Sequence, residues 1–151
     1  MKNNIMKSSK IIFLFFFCLL LLNFQCDDDD DDVQTIMCDT EVIVDNSVYQ
    51  AVEASFYSIV TSEIDGDCLA VNIAASGCGG ETWVLTLIDS EDIAESMPPQ
   101  RYLKLSLFNN EACLAIYNKI QSFNLTLLRI DGVNEVVLNI EDFPEPLIYA
   151  Y

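Results

Sequence analysis

The 151-residue sequence predicts an all-β fold, a small two-layer antiparallel sandwich held by disulfides, and three observations carry that reading. Apolar residues recur with period two. Leu69, Val71 and Ile73 alternate with Ala70, Asn72 and Ala74; Leu103, Leu105 and Leu107 alternate with Tyr102, Lys104 and Ser106; Val136, Leu138 and Ile140 alternate with Glu135, Val137 and Asn139. Such alternation marks strands with one buried face, because successive side chains of a strand point to opposite sides. Turn chemistry separates these runs at Asp65-Gly66-Asp67, Gly77 to Gly80 and Asp131-Gly132-Val133-Asn134, where glycine supplies the positive φ that tight turns demand. Four cysteines, Cys38, Cys68, Cys78 and Cys113, fall in the same stretch, an even number suited to stapling a small domain.

Taken in order, the pattern predicts an edge strand near 41–45 and strands near 54–64, 67–75, 81–89, 101–109, 112–122, 135–141 and 146–151. About seven short strands with frequent turns favour a two-sheet, Ig-like sandwich over a parallel sheet. One helix is expected, from Ser90 to Met97. Ser90 would cap it, Glu91 and Asp92 suit its first turn, and Pro98-Pro99 would end it. No internal repeat is visible.

The N-terminal segment is of another kind. Lys2, Lys7 and Lys10 precede the apolar run Ile11 to Leu22, shorter than the roughly 18 residues of a membrane-spanning helix, and together they predict a secretory signal over residues 1–25. The stretch Leu22-Asn23-Phe24-Gln25-Cys26-Asp27 resembles the processing site of bacterial lipoproteins, whose cysteine becomes residue one and is acylated. That resemblance implies a lipid-bearing Cys26 in an exported protein of a didermic bacterium. Residues 26–35 then form a linker, and 36–151 the sandwich domain.

Asp27, Asp28, Asp29, Asp30, Asp31 and Asp32 cannot pack into a core, since each buried unpaired carboxylate costs several kcal/mol. They repel one another and reach roughly 20 Å when extended. The run resembles the acidic export signal that follows the lipidated cysteine in surface-exposed Bacteroidota lipoproteins. A plainer reading stands beside it, a solvated spacer, and a weaker one, a calcium site that would have to order a flexible chain at high entropic cost. The expected location is the outer membrane, lipid-anchored, at the cell surface. The expected partners are membrane lipid through acylated Cys26 and the lipoprotein processing and export machinery.

Charge and composition narrow the chemistry. The net charge is −17, and removal of residues 1–25 takes three of the seven basic residues and none of the 24 acidic ones, leaving −20. Such a surface repels phosphates, so no nucleic acid partner is expected. The chain has no histidine, which removes serine–histidine and cysteine–histidine nucleophile pairs and the commonest metal ligand. No two cysteines form a Cys-x-x-Cys pair, so neither a metal nor a cofactor is expected. With Cys18 in the signal and Cys26 given to lipid, the remaining four cysteines are expected to form two disulfides in an oxidising compartment. Three connectivities exist. Cys78–Cys113 with Cys38–Cys68 is favoured, since it ties the N-terminal segment to the first hairpin and a turn to a distant strand; the spacing leaves the other two open.

Paired carboxylates are the remaining catalytic option, because hydrolases of glycosidic bonds hold two of them about 5–10 Å apart in a cleft. The plainer reading of the acidic residues is solvation on outer faces and turns. Asp65-Gly66-Asp67 lacks the spaced ligands of a calcium loop and reads as turn chemistry. Trp83, the sole tryptophan, shares a face with Leu85 and Leu87 and is expected in the core. Tyr149 and Tyr151 are the expected exposed aromatics, of the type binding surfaces use; packing of both by the C-terminal strand is the equal alternative.

Several segments form a further pattern: Ser76-Gly77-Cys78-Gly79-Gly80 with Trp83-Val84-Leu85; Pro99-Gln100-Arg101 with Leu103-Lys104-Leu105; Glu111-Ala112-Cys113-Leu114-Ala115; Phe123-Asn124-Leu125-Thr126; and Leu147-Ile148-Tyr149. Together they resemble a family of short flavobacterial lipoproteins without assigned activity and, more distantly, the β-sandwich half of NigD-like lipoproteins. The resemblance covers most of residues 54–151. It implies a sandwich and a Cys78–Cys113 link, and supplies no catalytic residues. Family members commonly carry Asp and Pro where this chain has Asn124 and Leu127. The functional expectation is a non-enzymatic interaction or structural module with an unknown protein or glycan partner. A glycan- or polymer-binding auxiliary lipoprotein of an uptake system is the alternative, and a small hydrolase with paired carboxylates the third.

Overall fold

A computed structural model of the chain describes residues 37–53 and 56–151. The signal segment 1–25, Cys26, Asp27 to Asp32 and the start of the 36–151 domain lie outside the described residues.

The described chain forms β1 (Thr40–Glu41), β2 (Ile43–Val44), α1 (Asn46–Ala51), β3 (Ser58–Asp65), β4 (Cys68–Gly77), β5 (Val84–Ala94), β6 (Gln100–Phe108), β7 (Ala115–Asn124), a 3-10 turn (Thr126–Leu128), β8 (Glu135–Ile140) and β9 (Leu147–Ala150). These strands make a β-sandwich of a four-stranded sheet, ordered β1-β7-β4-β3, and a five-stranded sheet, ordered β2-β5-β6-β8-β9. The period-two runs face each other across it. Leu69, Val71 and Ile73 from one sheet and Leu85, Leu87, Leu103, Leu105, Val136, Leu138 and Tyr149 from the other are buried, with Trp83 and Phe123 among them. Full burial of a Val, Leu or Ile side chain contributes about 1.5–3 kcal/mol, so this interior is the main source of stability. Cys38–Cys68 and Cys78–Cys113 are bonded, with Cα atoms 5.5 and 5.0 Å apart.

Four expectations need correction. The sheets are mixed rather than purely antiparallel: β1 runs parallel to β7, β2 to β5 and β6 to β8. The β6–β8 pairing has a topological cause, because β7 crosses to the other sheet between them and the returning strand arrives in the same direction. The edge segment near 41–45 is split between the sheets, with Val42, 2% exposed, buried at the crossing.

No helix forms at 90–97. β5 continues to Ala94 through an irregularity between Asp89 and Ile93, where Glu91 takes a φ of 64°. Here the Asp89 carboxylate accepts from Glu91 N–H and the Ser90 hydroxyl oxygen from Asp92 N–H. Side chains that could cap a helix instead close a bulge, a competition typical of Asp and Ser.

The helix lies earlier, at α1. Asp45 Oδ1 caps it by accepting from the N–H of Ser47 and Val48 at 2.8 and 3.1 Å, and Lys104 Nζ donates to the Tyr49 carbonyl at 3.2 Å. Six residues without a buried position leave no apolar period to read. Finally, Tyr149 is fully buried rather than exposed.

Candidate functional site

The two ends of the sandwich differ. At the end where the described chain begins, the β3–β4 hairpin turns at Gly66 and Asp67. The Tyr149 hydroxyl donates to Asp67 Oδ1 at 2.5 Å, and Arg129 Nη2 donates to the same oxygen at 2.5 Å. The Tyr149 hydrogen bond first, and Arg129 after it, hold Asp67 below the usual carboxylate range. Cys38–Cys68 fixes the entering chain beside this cluster. Asn124 also sits here: its amide donates to Glu41 Oε1 at 2.9 Å and its Oδ1 accepts from Thr126 N–H at 3.0 Å. An aspartate, the residue common in the resembling family, would keep the second bond and face Glu41 with like charge.

The opposite end brings together the loops after β4 and before β7, joined by Cys78–Cys113. Glu111 organises it. Its Oε2 accepts from the backbone N–H of Cys78, Gly79 and Gly80 at 2.5, 3.1 and 3.2 Å, and its Oε1 accepts from the Thr82 hydroxyl at 2.7 Å. Successive N–H groups converging on one point make an anion-binding nest, and here the anion is the chain's own side chain. The Thr82 hydroxyl, with the N–H groups of Cys78 and Gly80, pushes the Glu111 carboxyl down to about 2.

The loop's glycines answer to this packing. A Cβ on Gly77 would lie 2.5 Å from Glu111 Oε2 and 2.7 Å from Trp83 Cζ2, and Gly80 takes a φ of +77°. Lys119 Nζ ties the loop to β7 by donating to the Trp83 carbonyl at 2.5 Å.

Beside this fixed loop pair is a groove of about 480 Å³ lined by Glu53, Phe56, Ser76, Phe108, Asn109 and Glu111. Phe56 is 97% exposed and Phe108 62%, and Leu114, on the loop before β7, is 92% exposed, so large apolar side chains stand exposed at this end. Val84, directly opposite Phe108 in the β5–β6 pair, is exposed as well. Sequence reasoning placed the exposed aromatics at Tyr149 and Tyr151; Phe56 and Phe108 were missed. Phe108 ends an alternating run on its polar face, Tyr102-Lys104-Ser106, and that phase was the available signal.

Two carboxylates elsewhere are engaged too. Asp39 accepts from Ser122 N–H and hydroxyl. Asp89 pairs with Arg101 inside the sandwich at 2.8 Å. Burial raises the Asp89 carboxyl above the usual range, and the Arg101 charge offsets this only in part. The cysteines proposed for stapling, Cys38, Cys68, Cys78 and Cys113, are distributed one disulfide to each end, while Cys26 and Asp27 to Asp32 lie outside the described residues.

Comparison with solved structures finds the same sandwich elsewhere. The chain superposes on a protein of unknown function, DUF1344, from Bacteroides vulgatus with a TM-score of 0.52 at 14% identity, covering 74% of this chain and 56% of that one. It superposes equally, at 0.52 and 10% identity, on a NigD-like immunity protein from Bacteroides caccae, covering 72% of this chain and 58% of that one. The fold is shared. At these identities the likeness extends to nothing further, and the chain spans a little over half the length of the structures it matches. No protein-family model matches the sequence, and no curated protein does.

Proposed function

We propose that this chain is a surface-anchored lipoprotein acting as a non-enzymatic interaction module, with the Cys78–Cys113 end of its sandwich as the contact surface. The observation that carries the reading is the combination at that end of a fixed loop pair, exposed Phe56 and Phe108 lining one groove, and exposed Leu114 on the loop before β7. A surface already ordered before binding loses little entropy on association, and buried aromatic anchors contribute most to interfaces. Four of the ordered carboxylates, Glu111, Asp89, Asp67 and Asp39, support a structural use, because each serves to fix backbone or a cation. The sequence supports the anchor: an apolar run ending at Cys26 and then Asp27 to Asp32, with acyl lipid and the export machinery as partners. The finer kinship, with flavobacterial and NigD-like lipoproteins and an Ig-like topology, belongs to the same proposal.

The test is capture from detergent-solubilised outer membrane with the wild-type lipoprotein and a Phe108→Asp/Leu114→Asp variant of equal melting temperature. A partner retained by the first and lost by the second is the expected result. An identical set on both would defeat the assignment of this end. The alternative, a glycan-binding auxiliary of an uptake system, draws on the two phenylalanines flanking a groove that also carries Asn109 and Ser76; it requires that a polysaccharide bind and that Phe108→Ala abolish the binding.

A further inference from the structure

Sheet edges expose unpaired backbone N–H and C=O groups, and proteins blunt them with bulges, charges, short strands or covering segments. Three of the four edges in this sandwich are blunted. β3 carries a register shift between Ile59 and Thr61 together with Glu63 and Asp65; β2 pairs β5 at Ile88 and Asp89 and runs on into α1, which packs against β5; β9 is four residues long. The fourth is different. β1 covers β7 only at Phe123 and Asn124, and Asp39 takes the N–H of Ser122. From Ala115 to Gln121 β7 continues in unbroken register with β4 on its other side, with no proline or glycine.

Because Ser122 N–H points away from β4, the alternation of an antiparallel ladder sends the N–H and C=O of Ile116, Asn118 and Ile120 to the same open side. Among the described residues nothing pairs with them. Ile116 and Ile120 are each 68% exposed.

We propose that this edge pairs with the same edge of a second copy of the chain, β7 to β7, antiparallel and about a two-fold axis at Asn118. The sequence of the strip is what selects a copy of itself. Read in either direction about Asn118, Ile116-Tyr117-Asn118-Lys119-Ile120 sets each isoleucine opposite an isoleucine, Asn118 opposite Asn118, and Tyr117 opposite Lys119. Aliphatic cross-strand pairs stabilise, and like charges directly opposite destabilise.

The register also satisfies the backbone. Ile116, Asn118 and Ile120 all lie on the open side, so the three pairs 116–120, 118–118 and 120–116 are hydrogen-bonded pairs, giving about six bonds. A two-fold contact uses the same patch on both partners and closes without further growth. Charge agrees. In a chain of net charge −17, Ala115 to Gln121 holds no acidic residue, and its one cation, Lys119, is turned inward to the Trp83 carbonyl. Edge contact therefore sets no carboxylate against another within the strip. The two sheets join into one eight-stranded sheet.

The inference is independent of what occupies the loop-end groove, and its test reads a different quantity. In the membrane-anchored full lipoprotein, Asn118→Cys should form an inter-chain disulfide, giving a band of twice the monomer mass without reductant. Asn72→Cys, on the same face of the adjacent β4, should stay monomeric. In detergent solution, sedimentation should give a dimer for wild type, and Ile120→Lys should raise its dissociation constant at least about tenfold, two symmetric pairs being lost, while its circular dichroism stays that of the folded chain. Ile116→Lys serves where Ile120→Lys fails to fold. A monomeric wild type, no Asn118→Cys dimer, or equal cross-linking through Asn72→Cys overturns the proposal.

Discussion

Breaking the Asp89–Arg101 pair from either side should cost much the same at neutral pH and respond differently to acid. Arg101 Nη1 donates to Asp89 Oδ1 at 2.8 Å and Arg101 Nε to the Leu128 carbonyl at 2.9 Å. Asp89 is fully buried, Arg101 is 7% exposed, and Asp89 Oδ2 has no hydrogen-bond partner. Removing one member of a buried pair leaves an uncompensated charge, at about 3–5 kcal/mol, a large part of a typical 5–15 kcal/mol total.

Asp89→Ala strands a guanidinium that stays charged at any ordinary pH, so its cost persists on acidification. Arg101→Met strands a carboxylate that can take up a proton. Burial already raises the Asp89 carboxyl, and loss of the cation raises it further. A carboxyl whose folded value lies above its unfolded one contributes stability at low pH that is lost as pH rises through the folded value. The Arg101→Met deficit should therefore shrink by about 1.4 kcal/mol for each pH unit descended between the folded value in the variant and the lower folded value in wild type, below which both proteins hold the proton. Asp89→Leu/Arg101→Met, which removes both charges, should return to within about 1 kcal/mol of wild type. Urea unfolding of the disulfide-intact proteins at pH 7 and pH 4 measures all of this. A double variant that costs the sum of the single losses, or an Arg101→Met deficit flat with pH, would refute the account.

Three further outcomes follow from the loop end and the leader. Glu111 has its carboxyl lowered to about 2, so its contribution is full above the ordinary carboxylate value and drains away as pH falls toward 2; the melting temperature of Glu111→Gln should fall less than that of wild type over that descent, and parallel curves would exclude the nest as an acid-sensitive link. Gly77→Ala places a Cβ against Glu111 and Trp83 and should destabilise by about 1–3 kcal/mol in denaturant unfolding, as overpacking does, whereas Gly79→Ala, with open space around it, should change stability far less. Cys26→Ser should shift the protein from the membrane fraction to the soluble one, and Gly/Ser replacement of Asp27 to Asp32 should abolish access of external protease while total lipoprotein stays constant; unchanged access would reduce the run to a spacer.

The inner faces of β4, β6 and β8 were legible because a strand's side-chain period is two and the buried phase of Leu69, Leu103 and Val136 repeats without interruption. The turn at Gly66 was legible for the same local reason, a φ few residues but glycine adopt. The helix was misplaced because Ser90, Glu91 and Asp92 meet every local criterion for a cap; a distant Arg101 recruits Asp89 and holds the chain extended, and no window around Ser90 contains that fact. α1 had the opposite problem, a good cap at Asp45 on six residues that bury nothing.

Period, burial and backbone sterics within a few residues are enough to specify a mostly β core, the alternating side chains that fill it and where the chain must turn. Long-range contacts alone make β6 meet β8 in parallel, let Tyr149 close the core while Phe56 and Phe108 remain outside, bring Glu111 into the nest of the Gly77–Gly80 loop, and leave β7 open along one side among the described residues. Each of these depends on which distant segments become neighbours. That choice is settled by the packing of two whole sheets, in which exposure of one strand is set by the length and course of another.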